Sequence, residues 1–293
     1  MDTASEEIVV RATGDVSGSA GWDARRTHRT VGATSNLRDL GGTPAGEGRV
    51  VAPGRVYRAE ALVRPGTTDL CAVWDAVHTE AYAGLGVRTV LDLRSGAEAE
   101  RVASAWPEAT GAEYVALPVE EGGEGDTDYV AEIRSGLRTR FTAEDMADYY
   151  ALTLRRRSAE FGTALRILAD DARLPVLVHC AAGKDRTGLL VALLLEALGA
   201  PRPVVVADYA LTGILRPNRV QAYAHVFEGS GVDLADIATL FDSPAAAMEA
   251  ALAGLDDEYG SVPGYLAKEC GLTRDEVASL RVNLLVEESV SPS

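Results

Sequence analysis

The segment that most limits what this chain can fold into runs from Leu174 to Leu198. Leu174 to Val178 are apolar throughout and suit a short buried strand. They lead directly into His179-Cys180-Ala181-Ala182-Gly183-Lys184-Asp185-Arg186-Thr187-Gly188, and an apolar helix is predicted over 188–198. A buried strand, a tight loop and a helix N-terminus in immediate succession are a unit of α/β architecture. Such a loop can turn consecutive backbone N–H groups inward around an anion. The helix N-terminus adds partial positive charge, and Gly183 permits backbone angles that other residues resist.

The side chains of this loop add chemistry to the cradle. Arg186, six residues after Cys180, can return its planar fork to two oxygens of one phosphate. The same positive surroundings favour a thiolate at Cys180, and the Thr187 hydroxyl can hydrogen-bond the sulfur. Thiolate, anion cradle and arginine clamp are the parts that in-line attack on a phosphate ester requires. The phosphate-binding set is read as Ala181, Ala182, Gly183, Lys184, Asp185 and Arg186. A lone cysteine is ordinarily a small buried hydrophobe, and Cys71 and Cys270 are read that way. His179 is read as a buttress of the loop rather than a base.

The rest of the chain sets this unit in an α/β domain. Strands are predicted at 55–58, 87–93 and 113–117. Thr67 or Thr68 caps a predicted helix bearing Leu70, Val73, Trp74, Val77 and Ala81, stopped by Gly84 and Gly86. Helices are predicted at 143–157 and 158–172, and from Asp208 onward the chain reads as helical throughout. Thr273 and Glu276 form a capping box for the last helix. Residues 1–30 read as a loosely held arm with a strand at 8–12, and 120–128 as an acidic mobile loop. A single domain is expected over 31–290.

Three cysteines, far apart and without a CxxC pair, argue against a disulfide framework or a structural zinc site. The net charge of −16 disfavours nucleic acid and anionic membranes as partners. The N-terminus MDTASEEIVVRATGDV lacks a basic stretch followed by an apolar one, so a cytoplasmic protein without a signal peptide is expected.

HCAAGKDRTG resembles the Cys-x5-Arg signature of protein tyrosine phosphatases. Its GKDRTG ending is similar to that of bacterial tyrosine and lipid phosphatases related to mycobacterial protein tyrosine phosphatase B. The resemblance covers about residues 35–287 and includes NLRDLGG (36–42), GRVYRAEAL (54–62), VLDLRSGAEAE (90–100), VVVADYALT (204–212) and YGSVPGYLAKECGL (259–272). It implies a central sheet flanked by helices on both faces, a helical C-terminal region, no metal and no cofactor. It also implies a cysteinyl-phosphate at Cys180, a contact of Lys184 with substrate phosphate, and a two-helix lid, placed by position alone at 216–254.

A general acid is needed to protonate the leaving oxygen. The WPD loop of eukaryotic relatives is absent; Trp106-Pro107-Glu108 resembles it only superficially and reads as the end of a loop. Asp92, at a strand's carboxyl end, matches the acid suggested for this family. Asp185 competes for the role, and a structural salt bridge from Asp92 to Arg94 or Arg38 is the alternative. Arg38 and Asp39 either order the site from beneath or stabilise a turn. Arg155 to Arg157 read as a solvated helix end.

These readings lead to a cysteine-dependent phosphomonoester hydrolase of protein tyrosine or dual-specificity type. A small-molecule phosphatase for a nucleotide, sugar phosphate or phosphoinositide is the alternative, and a non-catalytic phosphate-binding module a third. The expected partners are a phosphorylated protein or small phosphate ester, with inorganic phosphate as product, and no stable membrane association.

Overall fold

The computed structural model describes residues 23, 25, 28–29, 31–66, 71–120, 129–216 and 218–288. A five-stranded sheet is formed by β1 (Arg38–Asp39), β2 (Val56–Ala59), β3 (Thr89–Asp92), β4 (Glu113–Ala116) and β5 (Val176–His179). Their spatial order is β1-β2-β5-β3-β4, with β1 antiparallel to β2 and all other pairs parallel. His179 stands opposite Ala59 on one side and Asp92 on the other, so the three central strands end in one row. The loop after β5 therefore opens at the carboxyl edge of the sheet, where α/β proteins bind ligands.

Alternation along the strands divides the interior into two cores. Val56, Leu91, Val176 and Val178 face the larger one, whereas Tyr57, Val90 and Leu177 face the smaller. The smaller core is closed by the short helices Thr79–Ala83 and Trp106–Thr110, whose Tyr82 and Trp106 rings meet edge to face at 5.3 Å. Helix α1 (Gly96–Arg101) follows β3. The larger core is built from α2 (Ala143–Arg156), α3 (Ser158–Ala169), α4 (Asp185–Ala197), α5 (Arg202–Leu215), α6 (Ala245–Tyr259), α7 (Val262–Lys268) and α8 (Arg274–Leu284). Helix α4 is buried along almost its whole circumference, which its unbroken apolar run requires. The capping box of α8 forms as read, with Thr273 and Glu276 exchanging side-chain and backbone bonds.

Several local expectations give way to tertiary pairing. The predicted helix through Val73, Trp74, Val77 and Ala81 forms only in its last part, as a 3-10 turn at Ala76–His78 and the helix Thr79–Ala83 that stops at Gly84. Ala72–Val73 instead pairs parallel to Leu62–Val63, with Ala72 N–H donating to the Ala61 carbonyl and Trp74 N–H to that of Val63. Asp75 then caps a new turn by accepting from Val77 N, and Val77 is left 75% exposed. Its proposed caps, Thr67 and Thr68, lie outside the described residues, as do the strand at 8–12 and most of the acidic loop. Trp106 begins a helix rather than ending a loop. Its buried indole donates to the Glu60 carbonyl at 2.9 Å, while Glu108 pairs with exposed Arg64.

The chain after Asp208 is not helical throughout. Residues 218–243 hold turns and two 3-10 segments, Ala224–Phe227 and Ala238–Phe241, because Gly229 and Gly231 take positive φ values that end helical runs. Leu285–Glu287 forms a strand against Arg49–Val51. The region assigned to a lid thus divides in two. Its part from Ala245 onward lies in α6, where Ala247, Met248, Ala251 and Leu252 are buried in the larger core. Among the described residues no helix is long and apolar enough to cross a membrane.

Candidate active site

Cys180 lies buried immediately beyond the carboxyl end of β5, and α4 begins at Asp185. Gly183 adopts φ +66°, and a Cβ there would stand 2.3 Å from the Ala59 carbonyl oxygen, so the turn admits glycine alone. The carbonyls of four successive loop residues are each held by a donor. His179 Nδ1 lies 3.0 Å from the Cys180 oxygen and Ala61 N–H donates to the Ala181 oxygen at 3.0 Å. Asn36 Nδ2 donates to the Ala182 and Gly183 oxygens at 3.2 and 3.0 Å, and Arg58 Nη2 to the latter at 2.7 Å.

Arg186 is positioned by a residue that the sequence reading passed over. Its Nη1 and Nη2 donate to the two oxygens of Glu98 at 2.6 and 3.0 Å. Burial would raise the Glu98 carboxyl, but the Arg186 fork and the amide of Ser95 outweigh it and bring its pKa down to about 2. Glu98 is also the third residue of a capping box begun by Ser95. That box, within the VLDLRSGAEAE motif, was the available sequence signal.

His179 is fully buried between the loop and Ser104. A carbonyl only accepts, so the Nδ1 facing the Cys180 oxygen carries the proton and Nε2 accepts from Ser104 Oγ at 3.1 Å. Burial lowers its pKa, against the opposing charge of Asp92, and a neutral ring with both nitrogens engaged suits a buttress.

Asp92 is held in the paired arrangement. Arg94 grips its carboxylate from Nε and Nη2 at 3.0 and 2.6 Å, and Tyr114 Oη donates at 3.0 Å. Burial would raise this carboxyl, but His179, the Arg94 fork and the Arg94 amide more than offset it, and the pKa falls. The salt bridge to Arg94 that the sequence offered as the alternative reading of Asp92 is therefore formed. Asp185 is more accessible, with its side chain 24% exposed. It accepts from Tyr150 Oη at 2.6 Å and lies 3.4 Å from Lys184 Nζ. Tyr150 in turn bonds Tyr209 at 2.7 Å, and burial raises both phenols well above their ordinary value.

The matching sequence profile is that of the tyrosine phosphatase family, over residues 30–286. The chain belongs to this family. It is 31% identical to a Cupriavidus necator protein bearing a tyrosine-protein phosphatase name, over 86% of each chain. It is 28% identical to the triple specificity protein phosphatase PtpB of Mycobacterium tuberculosis, over 85% of this chain and 96% of the other. A tyrosine-protein phosphatase of Nostoc commune is also 28% identical, over 89% and 90%. The protein is accordingly a cysteine-dependent phosphatase of the protein tyrosine phosphatase type, acting on phosphorylated substrates.

Lys184 Nζ donates to the Leu240 carbonyl at 2.7 Å and so reaches the 218–243 segment. Among the described residues the buried Thr187 hydroxyl has no hydrogen-bond partner, so the expected bond to the Cys180 sulfur is not made. Arg38 and Asp39 are adjacent in a strand and point to opposite faces, so the two readings offered for the pair separate. Arg38 goes beneath the loop to Asp208 at 2.9 Å, whereas Asp39 accepts from the Gly41 and Gly54 amides at 2.8 and 2.7 Å and stabilises a turn. Arg155 pairs with exposed Glu258 and Arg157 with the Glu120 carbonyl, as suits a helix end.

Proposed function

We propose that this phosphatase hydrolyses phosphomonoesters through a cysteinyl-phosphate at Cys180, with phosphotyrosine in proteins as the first substrate class. The observation that carries the reading is the placement of Cys180 at the base of the loop, with Arg186 held at the start of α4 by Glu98. The Cys180 thiolate attacks phosphorus as the ester P–O bond breaks, and Asp185 gives its proton to the leaving oxygen. Water, losing a proton to Asp185, then attacks phosphorus. The S–P bond breaks, releasing inorganic phosphate and restoring the thiolate. Loop amides and the Arg186 fork bind the equatorial oxygens throughout.

Lys184 adds a second cation for substrate phosphate. The 218–243 segment, reached by that lysine, is proposed as a cover over the pocket that excludes water. The net charge of −16 favours a soluble substrate over a membrane-bound one and suits a cytoplasmic enzyme.

The test is a panel of an aryl phosphate, a phosphotyrosine peptide, a nucleoside monophosphate and a membrane-embedded phosphoinositide, ranked by kcat/KM. The peptide is expected to lead. A phosphoinositide preference of ten-fold or more over both soluble classes, surviving physiological salt, would overturn the substrate assignment.

A further inference from the structure

Three motifs outside the loop, NLRDLGG, GRVYRAEAL and VVVADYALT, meet behind it. Asn36, Arg38, Arg58 and Asp208 are all buried to within a few per cent of completely. Asp208 Oδ1 accepts from Arg38 Nε at 2.9 Å and its other oxygen accepts from Arg58 Nη1. Arg38 Nη2 also donates to the Asp208 carbonyl at 2.8 Å, and its Nη1 donates to Asn36 Oδ1 at 2.5 Å. Burial would raise the Asp208 carboxyl, yet the two guanidiniums hold it below its ordinary value, and burial with the nearby Arg58 charge lowers Arg38 to about 10. Two cations and one anion thus sit in the interior, an arrangement costly to desolvate and not needed to fill space.

The cost has a purpose at the loop. In a trans peptide the carbonyl of one residue and the N–H of the next point in opposite directions. Holding the Ala182 and Gly183 oxygens on the rear side turns the Gly183 and Lys184 N–H groups the other way. The Cys180 and Ala181 carbonyls are held likewise, by His179 and the Ala61 amide. Among the described residues, the amides of Ala181, Ala182, Gly183 and Lys184 donate to no protein acceptor. The peptides that carry these four donors are thus fixed through their carbonyl sides by His179, Ala61, Asn36 and Arg58.

We infer that Asn36 and Arg58 are positioning residues of the phosphate cradle, with Arg38 and Asp208 holding them in place. Arg58 does more than orient. Its charge, 2.7 Å from the Gly183 oxygen, polarises the Gly183–Lys184 peptide and strengthens the N–H at its far end toward an oxyanion. Asn36 supplies orientation without charge. The inference rests on the phosphatase reading above, and it gives Asn36, Arg58 and Asp208 a function that the reading leaves open.

The test compares Arg58→Gln, Arg58→Lys and Asn36→Ala with the wild-type chain. For each, the inhibition constant of inorganic phosphate is measured against aryl phosphate turnover, and kcat is normalised to the Cys180 thiol titrated in the folded protein. Arg58→Gln is expected to raise both the phosphate inhibition constant and KM about ten-fold or more, the scale of one charge-assisted hydrogen bond. Arg58→Lys should recover part of that loss because the charge returns, and Asn36→Ala should give a smaller rise. A structural role alone would reduce the folded fraction while leaving the inhibition constant of the remaining enzyme unchanged, and that result overturns the inference. If Arg58→Gln does not fold, Asn36→Ala is decided by the same criterion. Wild-type protein that neither turns over aryl phosphate nor binds phosphate would instead sink the phosphatase mechanism itself.

Discussion

Glu98 and Arg186, 88 residues apart in the chain, form a two-point ion pair that anchors the buried arginine at the start of α4, six residues after Cys180. A guanidinium gripped by a carboxylate is fixed in its plane, so less rotamer entropy is lost when phosphate binds.

Glu98→Gln keeps the shape and removes the charge. KM for an aryl phosphate is expected to rise several-fold, with a smaller fall in kcat. The pair also has a pH signature. The carboxyl is depressed in the folded protein from 4.5 to about 2, so its stabilisation is complete above 4.5 and is lost as pH falls toward 2. Its side chain is 26% exposed, which leaves a contribution on the order of 2 kcal/mol after screening. Acid denaturation of the Gln variant should lack this component between those limits. An unchanged acid profile and unchanged KM would remove Glu98 from the site.

Cys180→Ser should abolish turnover and bind inorganic phosphate nearly as well as wild type, because a protonated hydroxyl is a poor nucleophile in an intact cradle. Residual turnover above a tenth of wild type would sink the nucleophile assignment.

Asp185→Asn should slow esters with poor leaving groups far more than activated aryl esters and flatten the basic limb of the pH profile. Asp92→Asn should instead lower thermal stability, since it breaks a buried carboxylate–arginine pair. If the leaving-group dependence belongs to Asp92→Asn, the two roles are exchanged.

Gly183→Ala forces a side chain against the Ala59 carbonyl at a positive φ. The backbone term alone is about 1–2 kcal/mol, and relief of the clash must displace the loop. Thermal denaturation should show a loss of at least that size together with loss of turnover. Wild-type activity in this variant would mean that the loop tolerates a different path.

Lys184→Met removes the link to the Leu240 carbonyl. Amide hydrogen exchange in 218–243 should accelerate in the free protein, while vanadate bound to the wild type should slow it. Exchange indifferent to both changes would mark the segment as fixed structure rather than a cover.

What the sequence by itself determined was local. The apolar strand, the glycine-bearing loop and the buried helix are contiguous, so their order alone places Cys180 and Arg186 at the junction of β5 and α4. The capping box at Thr273 and Glu276 is equally self-contained. Asn36 reaches Gly183 across 147 residues and Arg58 reaches Asp208 across 150, distances at which periodicity carries no information on partners. The stripe through Val73 and Val77 misled for the same reason: spacing reports which residues could share a helical face, but pairing of Ala72–Val73 with Leu62–Val63 supplied backbone partners that decided for a strand. The Arg94 partner of Asp92 is two residues away and was legible in the sequence, whereas Tyr114 and His179 reach its carboxylate only through the pairing of strands far apart in the chain, which also buries it.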